Sequence, residues 1–261
     1  MAQVFLRSVS LNIPLTSHKS NSLKGTMSSI FLKKISKLSS SGKNVGGIIK
    51  NFNNSSHVNV LDDVNIKLND GDSLGIIGHN GSGKSSLLKL IAGIYKPTNG
   101  SVEVNGSIFP IFSTFIGMDM DLTGIENIEL RCKIMGKNKF ESQKIKKNVI
   151  DFCDLGDFIY LPLRTYSSGM KVRLSFGLST SIQSDILLID ENLDAGDITF
   201  RKKSSERAET FLKKSKIIVL VSHNLETVKS FCKKCLILHK GKILDFGETK
   251  TIIQTYSLLN R

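Results

Sequence analysis

One loop constrains this chain more than any other feature. Residues 78–85 read GHNGSGKS and fit the pattern GxxxxGK[ST], with a short apolar run directly before them at 74–77 and helical periodicity after them at 85–94. In that context the glycines let the backbone curl so that its N–H groups point at phosphate oxygens, and the start of the helix adds partial positive charge. The sequence therefore predicts a buried strand, a phosphate-binding loop and a helix, in that order.

The side chains of this loop are predicted to act on a nucleoside triphosphate and its metal ion. Lys84 would reach the β- and γ-phosphates, and the hydroxyl of Ser85 would ligate Mg²⁺. The alternative, a chance Gly-Lys-Ser turn, would not explain the strand before the loop and the helix after it. We expect the following residues to contact nucleotide: Gly78, His79, Asn80, Gly81, Ser82, Gly83, Lys84, Ser85 and Ser86.

Two further apolar runs end in groups that suit phosphate chemistry. Residues 185–191 read DILLIDE, in which Asp190 would hold Mg²⁺ directly or through water and Glu191 would orient and deprotonate an attacking water. Residues 221–224 read VSHN, and His223 is a candidate contact to the γ-phosphate and that water. In doubly wound sheets the carboxyl ends of the strands converge on the ligand crevice. The alternatives are an acidic strand end and a structural histidine.

Strand patterns alternate with helical patterns along most of the chain. This predicts an α/β fold in which a mainly parallel sheet is flanked by helices. Short strands around a turn at 101–112 suggest an antiparallel β subdomain, and helical patterns fill much of 120–182. We expect an N-terminal segment over 1–57 and the main α/β domain over 58–261.

The N-terminal segment is unusually basic. The formal net charge is +13, and residues 1–61 hold eight basic residues and no Asp or Glu. Residues 2–13 alternate weakly and predict an edge strand, whereas 23–38 have the spacing of a basic amphipathic helix. Such a segment suits a polyanionic neighbour, either nucleic acid or anionic lipid, with a solvated basic face as the alternative.

Several classes of protein are disfavoured by what the sequence lacks. No apolar run approaches the roughly 18 residues of a membrane span, and the start shows no signal-peptide pattern, so we expect a cytosolic protein or one peripheral to a cytosolic membrane face. Only Cys232 and Cys235 of the four cysteines form a CxxC pair, and no second pair completes a zinc site. We therefore expect reduced, structural thiols.

The order of four elements, GHNGSGKSS, YSSGM, ILLIDE and VSHN, resembles the ATPase subunit of ABC transporters from about residue 58 onward. The resemblance implies a P-loop NTPase of ABC type with a helical signature subdomain, which hydrolyses ATP as a homodimer with ATP at the interface. YSSGM, at 166–170, occupies the place of the family's signature, usually LSGGQ. Ser167 and Gly169 would then contact the γ-phosphate held by the opposite subunit, and Asp197 would also contact nucleotide.

Other segments resemble the exporters of bacterial surface polysaccharides, namely O-antigen, capsule and teichoic acid. They are YSSGM, FIGMDMDLTGIENIELR at 115–131 and DENLDAGDITFRKKS at 190–204. SVSLNIPL near the start, together with the Ser- and Lys-rich insert at 17–57, is similar to the O-antigen subgroup, and we expect that subgroup specifically. The resemblance implies a separate ABC-2 type membrane permease and a lipid-linked polysaccharide that the chain moves indirectly. It also implies a peripheral position on the cytoplasmic face of the inner membrane. At 261 residues, we expect a short form without a carbohydrate-binding domain.

The chain departs from the family pattern at two places. The Q-loop glutamine is not found, and Asp119 stands near its place as a possible Mg²⁺ ligand. The aromatic residue that stacks on adenine is also missing, with only His57 or Asn59 nearby. Two alternatives stay open: an ABC transporter ATPase for another substrate, and a soluble ABC ATPase acting on ribosomes or DNA. Nucleic acid is the less favoured partner, because the chain has one ATPase unit and no long coiled-coil insertion.

Overall fold

The structure is a computed structural model that describes residues 1–14, 48–52, 55–111, 117–190 and 198–259. The chain forms two compact units. The P-loop unit comprises Gln3–Leu68, Leu74–Val104 and Val221–Arg261. The helical unit comprises Met1–Ala2, Asn69–Ser73 and Asn105–Leu220.

The elements are numbered in chain order within the described residues. The strands are β1 (Gln3–Pro14), β2 (Ile48–Phe52), β3 (Ser55–Asn69), β4 (Ser73–Ile77), β5 (Asn99–Asn105), β6 (Ile108–Ile111), β7 (Ile186–Asp190), β8 (Ile217–Val221), β9 (Lys234–His239) and β10 (Lys242–Glu248). The helices are α1 (Lys84–Ile91), α2 (Gly124–Ile134), α3 (Lys139–Cys153), α4 (Ser168–Ser179), α5 (Ile198–Lys214), α6 (Leu225–Phe231) and α7 (Thr249–Leu259).

One sheet of the P-loop unit has the order β2-β3-β1-β5, in which β2 and β3 pair antiparallel. β1 therefore lies inside this sheet, and the prediction of an edge strand was wrong. Its alternation looks weak because Ser8 has a φ of +45°, which shifts the register of the strand. As a result Leu6 and Val9, three positions apart, are both buried.

The P-loop unit also contains β4, β9 and β10. β4 pairs parallel with β9, from Leu74 opposite Lys234 to Ile77 opposite Ile237, and β9 pairs antiparallel with β10. All five residues of β4 are buried, as expected for a strand covered on both faces. This strand delivers the chain directly into the loop at 78–85.

The helical unit combines a strand layer in the order β8-β7-β6 with four helices. β6 and β7 are parallel, from Ile108 opposite Ile186 to Ile111 opposite Ile189. Thr123 and Asn138 begin α2 and α3 with capping boxes, each bonding reciprocally with the glutamate three residues later. The buried faces of α2, α3 and α4 then form one apolar core, with these residues among its members: Ile128, Cys132, Val149, Phe152, Cys153, Leu174, Phe176 and Leu178.

The predicted fold class is confirmed: a mainly parallel sheet with helices, an antiparallel sheet and a helical cluster. Strand β2 was not predicted, and it lies in the stretch assigned to the basic N-terminal segment over 1–57. The predicted amphipathic helix at 23–38 falls outside the described residues. Within the part of the chain that the structure describes, no helix has both the length and the apolar character needed to cross a membrane.

Candidate nucleotide site

The loop at 78–85 adopts a backbone that only glycine allows at several positions. Gly78, Gly81 and Gly83 have φ values of +149°, +77° and +106°. A Cβ on Gly78 would overlap the carbonyl oxygen of Leu238, and one on Gly83 would lie 2.8 Å from that of Val60. The loop is therefore a curl pressed against its own sheet, with its shape set by the lack of side chains.

Lys84 and Ser82 place polar groups inside this curl. The ammonium group of Lys84 donates hydrogen bonds to the carbonyl oxygens of Gly78 at 2.8 Å and His79 at 3.1 Å, although the residue is buried. The Oγ atom of Ser82 is buried and has no hydrogen-bond partner within the described part of the chain. A buried polar atom without a partner is costly, and a ligand that accepts a hydrogen bond from this hydroxyl would remove that cost.

Helix α1 begins at this curl without a cap of its own. Its N-cap residue is Gly83, no side chain bonds the first N–H groups, and no acidic residue lies in the first turn. Free N–H groups and the helix dipole make such an end favourable for an anion. Ser85, in the first turn, is exposed, and Ser86 is partly buried. The loop thus has the curled backbone and the uncapped helix start that the motif predicts, and contact of its residues with a phosphate remains a prediction.

His223 lies in the same unit, between the end of β8 and the start of α6. Ser222 accepts a hydrogen bond from the N–H of Asn224 at 3.1 Å, and Asn224 caps α6 by accepting from the N–H groups of Glu226 and Thr227. His223 itself is exposed. The hydrogen bonds of Ser222 and Asn224 hold the turn. The imidazole of His223 lies at the surface, where it can contact a ligand.

Asp190 is the last residue of β7, in the helical unit. The four residues before it are buried and Asp190 is partly exposed, so its carboxylate stands at the carboxyl end of the strand as predicted. Glu191 and Asp197, the predicted base and nucleotide contact, lie outside the described residues. Their assignments remain predictions.

The predicted signature begins helix α4. Ser167 is its N-cap and accepts a hydrogen bond from the N–H of Met170 at 3.2 Å. Gly169 lies in the first turn, where an added Cβ would have no atom closer than Ser167 Oγ at 3.9 Å. The glycine is therefore not required by packing against the residues that the structure describes. Tyr166, just before the N-cap, is buried and donates from its hydroxyl to the carbonyl oxygen of Phe158 at 2.7 Å, which anchors this turn.

Asp119 has a local structural role. Its Oδ1 accepts from the N–H of Asp121 at 2.9 Å, and its own N–H donates to Asn127 at 2.8 Å. Asn127 is buried and also donates to the carbonyl oxygen of Asp119. These bonds explain the residue as part of the turn that leads into α2. A role in Mg²⁺ binding remains a prediction.

No cluster of three or more His, Cys, Asp or Glu side chains within the described ranges could hold a metal by itself. The four cysteines are buried and unbridged, and burial raises the pKa of Cys153, Cys232 and Cys235 to about 12. The Ser85 hydroxyl and the Asp190 carboxylate are each oxygen donors of the hard type that Mg²⁺ prefers, and their roles as ligands remain predictions.

Two features beside the loop were missed by the sequence analysis. The turn between β9 and β10 packs on β3, since a Cβ on Gly241 would lie 2.6 Å from the carbonyl oxygen of Val60. The ring of His79 lies 6.4 Å from that of His239 and 6.1 Å from that of Tyr256 on α7. A Lys-Gly pair between two strand patterns signalled the turn, but nothing in the sequence indicated the rings.

The chain is similar to known proteins in family, in sequence and in fold. A family model described as ABC transporter matches residues 61–194. One relative, teichoic acids export ATP-binding protein TagH of Staphylococcus haemolyticus, is 40% identical over 209 residues, which are 80% of this chain and 78% of the relative.

Two other relatives are longer. The protein of the same name from Bacillus anthracis is 45% identical over 196 residues, and the one from Shouchella clausii is 38% identical over 196 residues. Each match covers 75% of this chain, but only 36% and 54% of those relatives. The chain thus spans about a third and about half of their lengths.

Solved structures share the fold at low sequence identity. An ATP-binding subunit of an ABC transporter superposes with a TM-score of 0.68 at 21% identity, covering 98% of this chain and 93% of that one. A dimeric ATP-binding cassette bound to ADP and Pi gives a TM-score of 0.65 at 19% identity, covering 94% of this chain and 98% of that one. These likenesses concern the fold alone.

Proposed function

This chain belongs to the ABC transporter family, and we propose that it is the ATP-hydrolysing subunit that powers export of a teichoic acid. The observation that carries the proposal is the phosphate cradle at 78–85, in a chain whose relatives are named for teichoic acid export. O-antigen and capsule are the other cargoes of the same group, and the names of these relatives favour teichoic acid over them.

ATP binds with its phosphates in the curl of the loop. Lys84 turns from the carbonyl oxygens of Gly78 and His79 to the β- and γ-phosphates, and the uncapped start of α1 donates N–H groups to the same anion. Ser82, whose hydroxyl has no partner within the described residues, gains an acceptor. The first turn of α1 contributes no carboxylate that would repel the bound phosphates.

Hydrolysis uses residues from the ends of two strands. When bound, Mg²⁺ neutralises charge on the phosphates, and Ser85 and Asp190 are the residues that would hold it. Glu191 accepts a proton from the attacking water, and His223 contacts the γ-phosphate and that water. The products are ADP and inorganic phosphate.

Two copies of the chain act together. Ser167 and Gly169 of one copy complete the ATP site of the other, and the open space beside Gly169 among the described residues supports this assignment. The pair docks on a separate ABC-2 type permease at the cytoplasmic face of the membrane. Closure of the dimer on ATP moves the lipid-linked polymer through the permease, and hydrolysis reopens the dimer.

The test is ATP hydrolysis by the purified chain and three variants. Lys84→Ala should abolish both ATP binding and turnover. Glu191→Gln should keep ATP binding and lose steady turnover, giving a nucleotide-trapped dimer. Gly169→Asp should poison hydrolysis while the same chain still binds nucleotide. Near-normal hydrolysis by Glu191→Gln would reject Glu191 as the base.

The cargo needs a separate test with the permease present. Co-reconstituted with its permease in vesicles, the chain should hydrolyse ATP faster when a lipid-linked teichoic acid is added. A lipid-linked neutral polysaccharide is the matched control. Equal stimulation by both would leave the chain an exporter ATPase but remove teichoic acid as its specific cargo.

A further inference from the structure

The turn that joins α2 to α3 in the helical unit exposes two large apolar side chains. Ile134, the last residue of α2, is 61% exposed, and Phe140, in the first turn of α3, is 77% exposed. Single exposed apolar residues are common, but two of this size on one turn are a candidate contact surface. We propose that this surface, residues 133–148, binds the face of an anionic membrane.

The turn holds these side chains outward by its own hydrogen bonds. The N–H groups of Met135, Gly136 and Lys137 donate to the carbonyl oxygens of Arg131, Lys133 and Cys132 at 2.9–3.0 Å. Asn138 then begins α3 with a capping box to Glu141. The opposite faces of the two helices are buried in the core of the unit. Ile134 and Phe140 therefore cannot turn inward without breaking the hairpin.

Lysines surround the apolar pair. Residues 133–148 hold six lysines and one glutamate. Lys137 pairs with Glu141 at 3.7 Å, and Lys146 pairs with Glu129 at 2.7 Å. The other four form no ion pair within the described part of the chain, and all are exposed: Lys133, Lys139, Lys144 and Lys147. Their ammonium groups are free to meet lipid phosphates.

The positions on α3 match a surface-bound helix. Phe140, Gln143, Lys144 and Lys147 follow the spacing i, i+3, i+4 and i+7, so they share one face of the helix. An apolar residue at the tip with lysines along the same face is the pattern of a peripheral membrane contact, in which apolar groups enter the headgroup boundary and basic groups stay at the anionic surface.

Area and charge favour lipid over a protein partner. Phe buries roughly 150–250 Å² when covered, so this pair falls well short of the roughly 800 Å² that each partner contributes to a specific protein interface. Nucleic acid would use the lysines but leave the apolar pair exposed. An anionic bilayer can contact both the lysines and the apolar pair, and it requires no shaped pocket.

This inference rests on the proposed function only for the location of the chain at a membrane. It adds a direct lipid contact to the one made through a permease. Vesicle binding is measured without ATP, so loss of ATP hydrolysis and loss of lipid contact are separate results.

The experiment uses the absence of tryptophan from the chain. Phe140→Trp introduces one reporter at the proposed surface, in the full chain. Titration with vesicles of phosphatidylcholine and phosphatidylglycerol should shift its emission to the blue, and pure phosphatidylcholine should not. Adding Ile134→Ser, or Lys139→Glu with Lys144→Glu, should raise the lipid concentration at half-shift by about tenfold. Salt should weaken the interaction.

The matched control is Phe246→Trp, at an exposed phenylalanine on β10 in the P-loop unit. Its emission should stay unchanged on the same vesicles. An unchanged spectrum of Phe140→Trp at saturating anionic lipid would overturn the proposal, even if the chain still sediments with vesicles through another segment. Equal shifts on neutral and anionic vesicles, or a shift only when a permease is present, would overturn it as well.

Discussion

The backbone N–H of Gly241 donates a hydrogen bond to the carbonyl oxygen of Ser82, with 3.0 Å between nitrogen and oxygen. Its own carbonyl oxygen accepts from the N–H of Asp62 at 2.9 Å. The φ of Gly241 is +81°, and the carbonyl oxygen of Val60 occupies the space that a side chain would need. The turn between β9 and β10 thus ties the phosphate loop to β3.

Gly241→Ala should therefore damage the phosphate loop as well as the fold. Backbone strain should lower the free energy of unfolding by about 1–3 kcal/mol, and displacement of Ser82 should weaken ATP binding. Urea denaturation and calorimetric titration with ATP measure the two effects. The control is Gly93→Ala, where φ is +73° but no atom lies within 4 Å of the new Cβ. Gly93→Ala should lose stability and keep its ATP affinity. Equal ATP affinities in Gly241→Ala and Gly93→Ala would contradict the role of Gly241 in holding Ser82.

Substitutions of Gly169 and Gly177, both on α4, should affect ATP turnover and stability differently. Gly169→Ala meets open space among the described residues, so the melting temperature should stay the same or rise slightly. Under the proposed signature role, in which Gly169 contacts the partner's nucleotide, ATP turnover should fall. Gly177→Ala would place a Cβ 2.5 Å from the sulfur of Cys153 and should destabilise the fold by about 1–3 kcal/mol through overpacking. Unchanged turnover in Gly169→Ala would count against the signature role.

Asp185 should make the stability of the helical unit depend on acid pH. The hydrogen bond from Lys216, followed by those from the N–H and hydroxyl of Ser107, holds the pKa of this carboxyl well below its usual range. Since the folded-state pKa is below the unfolded value, the stabilisation is present above about pH 4 and is lost as the pH falls further.

Asp185→Asn should accordingly be less stable than the natural chain at pH 7, with the difference closing as the pH falls below about 4. Urea midpoints at both pH values measure it. Asp157→Asn, at an exposed carboxylate on the turn Gly156–Tyr160, is the control and should change neither midpoint. A constant difference between Asp185→Asn and the natural chain at all pH values would show that charge is not the cause.

Tyr166 should make the stability of the fold depend on alkaline pH. Tyr166→Phe removes the hydroxyl bond to the carbonyl oxygen of Phe158 and should cost about 0.5–1.5 kcal/mol at pH 7. Burial raises the pKa of Tyr166 to about 12. Because the folded-state pKa is the higher one, this stabilisation is full below about pH 10 and is lost between pH 10 and 12.

Tyr166→Phe should therefore lose less stability than the natural chain between pH 10 and 12. Denaturation curves across that range provide the measurement. Tyr160→Phe, at a tyrosine that is 64% exposed, should follow the natural chain throughout. Parallel pH curves for Tyr166→Phe and Tyr160→Phe would exclude the buried phenol as the titrating group.

The sequence predicts those features that depend on residues close together in the chain. The strand, the loop at 78–85 and the helix after it are neighbours in the chain, so glycine positions and apolar periodicity identify them. The interior position of β1 could not be seen in this way, because one residue with positive φ disturbs its alternation and its sheet partners lie far along the chain. The same holds for β2, whose only signal is a few apolar residues opposite β3.

The sequence by itself determined the order of strands and helices apart from β2, the glycine pattern of the phosphate loop and the positions of Asp190, Ser167 and His223 at the ends of their elements. Each of these depends on residues within a few positions of one another. Only the tertiary structure decided that Gly241 clamps Ser82, that Gly169 has open space while Gly177 does not, and that Ile134 and Phe140 face outward together. Those facts depend on contacts across the fold, which leave no periodic trace in the chain.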